Sequence, residues 1–237
     1  MALALREHST LIDGNAPPSR DQVLARYRLF REISKRYHHE VLNLTSGDAL
    51  LRQARRLGLA QGRTLILDDM DEMNYVYDLA IHTAPPERSR AIDRYAKSAG
   101  VAKGADETLV LEAMRRAQFS ILLIERRHET VGLIATDLIR GCEVWLVDIG
   151  LESSMSDGEA MATRLFTPEH FSMTAGVNVP FDLDMFEDIL AELPGRLGEV
   201  PPATLINNRH FAETIYRIAL ADGIMDRLKY LDLPDDA

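Results

Sequence analysis

Asp71, Tyr75, Asp78 and His82 recur at steps of four, three and four residues, which places all of them on one face of a helix. A carboxylate and an imidazole four apart, as Asp78 and His82 are, can grip one metal ion. With Asp71 or Glu72 as base or further ligand, that pair would serve a metal-dependent hydrolase. Geometry limits the idea. Asp71 lies two turns from Asp78, about 10.5 Å along the axis, so Asp71, Asp78 and His82 cannot all bind one ion directly. A simpler explanation competes. Asp68, Asp69, Asp71 and Glu72 crowd a helix start, where the macrodipole favours carboxylates, and the rest is then an ordinary solvated face. The expectation is therefore no tightly bound metal and no cofactor.

Other chemistry-bearing residues are explained in the same way. His38-His39-Glu40 closes a long helix; neighbours there diverge by about 100°, so the two histidines cannot chelate together. His170 has no obvious partner at a strand start. Ser153, Ser154 and Ser156 precede an Asp157-Gly158 turn, and no G-x-S-x-G surrounds them, so turn chemistry accounts for them. Neither G-x-G-x-x-G nor a P-loop pattern occurs, which argues against an ordinary nucleotide-binding enzyme. Trp145, the only tryptophan, either seals a seam between sheet and helices or, beside Phe119 or Phe171 on an outer face, marks a binding platform. Cys142, the only cysteine, excludes an intramolecular disulfide and a Cys-based metal site; a small buried hydrophobe is the expected role.

Charge adds one asymmetry. The chain carries −10 overall, yet Ser19–Arg56 holds nine basic residues against four acidic ones. That is a local excess of five, which leaves −15 on the rest. The arginines, Arg28 and Arg55 among them, either dock on the chain's own acidic half or meet an anionic partner. Ser46–Leu59 with its arginines also resembles, loosely, half of a helix-turn-helix. An acidic protein is a poor default for nucleic acid, since phosphate contacts supply most non-specific affinity. No run approaches a membrane helix, and Met1–His8 lacks the basic start of a signal peptide. The cytoplasm is the expected compartment.

The elements that must position these residues change type once. Helical spacing holds as far as Ala117. It gives way at Phe119–Ile124 to strand patterning as far as Val179, then returns. Strands are expected at 119–125, 130–137, 142–148, 159–166 and 171–177. The expected fold is α+β: a disordered arm over 1–18, a helical region over 19–117, a five-stranded antiparallel meander or small barrel within 118–180, and C-terminal helices over 181–237. In the first helix Val23, Tyr27, Phe30, Tyr37, Val41 and Leu44 form a narrow apolar seam, with Ser34 filling the missing place. The seam is longer than a short neighbouring helix covers, so a symmetric dimer is expected. No motif names an activity, and whether the chain is an enzyme stays open. The reading preferred is a soluble, non-enzymatic interaction or regulatory protein that binds another protein. A hydrolase on the Asp/His face and a nucleic-acid binder on the basic helices are the alternatives.

Overall fold

Ser19 opens the first helix because its side chain accepts from the Gln22 backbone while Gln22 returns a bond to the Ser19 N–H, so two orphan donors of the first turn are satisfied. In a computed structural model the chain is described over residues 18–85, 87–98, 104–192, 205, 208 and 210–223. Helix α1 (Arg20–Asn43) is followed by α2 (Gly47–Leu57), capped by Ser46 and closed by Gly58 in the left-handed region. A ribbon of two short strands follows, β1 (Ala60–Gln61) and β2 (Thr64–Leu65), then α3 (Met70–His82), α4 (Ala91–Lys97) and α5 (Ala105–Arg115). Next come β3 (Gln118–Arg127), β4 (Leu133–Asp137), β5 (Cys142–Leu146), α6 (Ile149–Ser154), β6 (Ala160–Phe166) and β7 (Met173–Phe181). Two further helices close the described chain, α7 (Leu183–Glu192) and α8 (Phe211–Asp222).

The fold is α+β, as the change of periodicity requires. The five long strands form one antiparallel sheet in the order β5-β4-β3-β6-β7, and it stays open. It is neither a simple meander nor a barrel. After β5 the chain returns through α6 and lays β6 on the far side of β3. A lone parallel bridge between Leu146 and Ser172 ties the end of one edge strand to the approach of the other. Gly132 serves the tight hairpin between β3 and β4: it has φ +82°, and a Cβ there would overlap the Leu146 carbonyl oxygen.

Three apolar clusters fill the molecule. One sheet face carries Phe119, Ile121, Ala162, Val177 and Val179, packed by α2, α3, α7 and α8. Toward the ends of the same strands, Phe166, Phe171 and Met173 meet α1, α4 and α5. The opposite face buries Leu122, Ile124, Leu133, Ala135, Val144, Leu146, Met161 and Leu165 under Met155 and Leu151. The α1 seam belongs to the second cluster. Val23, Tyr27, Phe30, Ser34, Tyr37 and Val41 are buried, and of the seam only Leu44 is exposed. The basis for expecting self-association through this seam therefore lapses, because α4, α5 and the sheet already cover it.

Several boundaries differ from the sequence reading. The segment after Asp148 is a helix, α6, rather than strand and polar loop, because Asp148 caps it by accepting from the Gly150 and Leu151 backbone. The chain after α2 enters the β1–β2 ribbon. Cys142 is exposed, since it opens the edge strand β5. The sequence also places a helix start at Pro86, a stop at Gly100, breaks at Pro194-Gly195 and Pro201-Pro202, a helix cap at Asn207 or Asn208, and a continuation through Met225, Leu228 and Leu231 into an acidic tail. These and the arm before Pro18 lie outside the described residues, except Asn208, whose side chain accepts from the His210 N–H while His210 itself is the cap of α8.

Candidate functional site

Helix α3 begins on carboxylates. Asp69 accepts from the Glu72 N–H at 2.9 Å, and Glu72 accepts from the Asp68 N–H at 2.5 Å. Asp71 is half-buried in this first turn. Beyond it the stripe turns inward. Tyr75, Asp78 and His82 are buried, contrary to a solvated face, because α3 lies where the two helical cores meet: Tyr75, Val76 and Leu79 join one cluster and Ile81 the other.

What makes Asp78 tolerable there is Arg164 of β6. Its Nε donates to Oδ1 at 2.7 Å and its Nη2 to Oδ2 at 2.8 Å, a two-pronged pairing that satisfies both carboxylate oxygens. The side chains are only 3% and 7% exposed. Arg164 stands in register with Phe119, and its guanidinium lies 5.4 Å from that ring's centroid. Burial alone would lower the Arg164 pKa; the charge and hydrogen bonds of Asp78 outweigh this and raise it. Tyr75 stacks on Tyr216 at 4.5 Å, and Phe119 meets Tyr216 edge-on at 5.4 Å. Burial and then the Asp78 charge push the Tyr216 phenol well up, which keeps it neutral.

Two histidines complete the junction. The His38 and His82 rings meet edge to face, 6.1 Å apart. His38, half-buried on α1, is pushed down to about 4, first by desolvation and then by Arg31 and Arg164 acting against Asp78. His82 lies well below the ordinary range through burial, Arg164, His38 and Arg90. Both imidazoles are therefore neutral near pH 7. With both Asp78 oxygens on Arg164, this carboxylate is neither a free base nor an open ligand. Among the described residues no group of three His, Cys, Asp or Glu side chains is placed to hold an ion.

The histidines make stability pH-dependent, with a defined sign. An imidazole whose folded pKa is depressed binds its proton in the unfolded chain first. Its contribution is complete above about pH 6.5 and drains away as pH falls toward the folded value. His82 is therefore expected to destabilise the fold as pH falls below about 6.5. Urea unfolding at pH 7 and pH 5 checks this. The wild type should lose more stability over that interval than His82→Gln does, and equal losses would contradict it.

The remaining candidates separate. Trp145 is half-buried against the second cluster, stacked on His128 at 4.1 Å and edge-on to Phe171 at 5.8 Å, with its Nε1 donating to the Val131 carbonyl. It seals the sheet to the helices. The basic helices spend their arginines on the chain's own acids: Arg20 on Glu152, Arg26 on Asp106 and Glu169, Arg31 on Asp148, Arg36 on Glu107 and Arg56 on Glu213. Arg55 donates to the Gly62 carbonyl, and Arg28 is exposed on α1. Ser153 and Ser154 donate to the Gly150 carbonyl within α6. His39 and His170 are exposed. Arg164 was missed from sequence. Its signal is an arginine whose alternation partners on β6, Ala162 and Phe166, both face the packed side.

Fold and junction define an α+β protein with an open antiparallel sheet, the longer helices packed on one face and α6 on the other, and an ion pair locked between its two helical cores. The chain belongs to a family of unknown function, DUF7986, whose model matches residues 21–217. No curated protein and no solved structure matches it. Among the described residues no helix is long and apolar enough to cross a membrane.

Proposed function

We propose that this chain is a non-enzymatic binding protein of the cytoplasm that captures another protein through the surface of the β1–β2 ribbon and the start of α3. The observation that carries the reading is a run of exposed apolar side chains within six residues: Leu65 at 36%, Ile66 at 51% and Met70 at 69% exposure. Apolar surface left open beside polar residues commonly marks an interface. The ribbon is held from behind, by Arg55 on the Gly62 carbonyl and by Ile66 N–H on Leu59 O, so the strip is presented on a fixed support. Exposed Asp68 and Asp69 border it. The fitting partner is a segment that offers apolar side chains flanked by Lys or Arg. The burial of the α3 face supports the same reading, since the groups best suited to chemistry are occupied in the core.

Selection of displayed peptides on the intact chain tests this. Apolar–basic sequences should be enriched, should weaken as salt rises, and should fail to bind Ile66→Glu/Met70→Glu. That double variant should keep its stability to within about 0.5 kcal/mol, as surface changes usually do. Enrichment of acidic sequences, or binding indifferent to the double change, contradicts the proposal. A second copy of the chain is a competing occupant of this strip. Light scattering of the wild type and the double variant distinguishes a second copy from a different protein.

A further inference from the structure

The Asp78–Arg164 pair leaves half of the guanidinium unused. Asp78 occupies the Nε–Nη2 edge, while Nη1 and the second Nη2 hydrogen meet no acceptor among the described residues, although five donors are available on the group. One turn from Asp78 on α3, His82 Nδ1 is buried without a hydrogen-bond partner. Buried polar groups are ordinarily satisfied, and orphaned ones call for an explanation. Here both share one junction. We propose that the free end of Arg164, with the His82 and His38 imidazoles, is a binding site for the carboxylate of a small molecule.

The chemistry favours an anion of that shape. Asp78 is the carboxylate that acts on His38, and Arg164 already neutralises it. Arg164, Arg31 and Arg90 all bear on the pair, while Arg31 and Arg90 are held by Asp148 and Asp93. Tyr75 and Tyr216 line the same junction as neutral phenols. The end edge of a guanidinium matches a planar carboxylate prong for prong. A singly charged group also loses less hydration on entering a dry site than a phosphate dianion does. Either imidazole can donate one N–H to the bound oxygen. Of the two imidazoles, His38 on α1 is the half-buried one and His82 the closed one.

The test uses the full chain with 13C-labelled histidine, titrated with acetate against chloride at equal ionic strength. Acetate should shift the His38 and His82 imidazole signals saturably and leave those of exposed His39 and His170 unmoved. His38→Gln, at a half-exposed position that spares the fold, should weaken acetate about tenfold, the loss expected for one hydrogen bond to a charged group. Three results would overturn the assignment: no saturable shift in acetate, the same shift in chloride, or saturation by inorganic phosphate in place of acetate.

Discussion

Phe30→Asp unfolds the protein rather than splitting an oligomer. Phe30 is 0% exposed. Its ring lies 6.1 Å from that of Phe171, and the Arg26 guanidinium caps it at 4.3 Å, so it joins α1 to the sheet end. Removing a buried ring costs about 3–5 kcal/mol. A carboxylate in its place adds the cost of a buried charge. Arg26 offers little relief, being already held by Asp106 and Glu169. The sum reaches the whole stability of an ordinary domain, about 5–15 kcal/mol. Far-UV circular dichroism and a thermal scan should show loss of cooperative structure. A folded, half-mass species would show instead that α1 serves an interface between copies.

Arg164→Leu is the second large effect. It strands Asp78 without its counter-charge in a site 3% exposed, and breaking such a pair costs about 3–5 kcal/mol. Asp78→Leu should cost a similar amount by stranding Arg164. Urea denaturation should give a much lower midpoint with little change of slope. A loss below about 1 kcal/mol, the range of solvent-exposed pairs, would mean that the α3 face is open to water.

Much of the fold was legible because its strands announce themselves. Ile121–Ile124 is apolar without a break, Gly141 marks a turn, and all five long strands fall within a few residues of where alternation puts them. The elements that escaped lack periodicity. Helix α6 spans six residues and buries none of them; strands β1 and β2 are two residues each, too short to alternate. The candidate site was half legible. The spacing of Tyr75, Asp78 and His82 gave their common face, but the direction of that face depends on what packs there. One cue was present. Val76, Leu79, Ala80 and Ile81 spread around α3 rather than along one stripe, and a helix apolar on several sides is a buried one. Pairing of Asp78 with Arg164, 86 residues away, is a tertiary fact that no local pattern contains.

The central claim is that the chemistry-bearing face of α3 is built into the core, with Asp78 committed to Arg164. A double-mutant cycle over Asp78→Leu, Arg164→Leu and the pair of changes together tests it most directly, by unfolding free energies at pH 7. The predicted result is a coupling of about 3 kcal/mol or more, because removing both charges relieves the stranding that either single change creates. Additive losses, with a coupling within about 0.5 kcal/mol of zero, would contradict it.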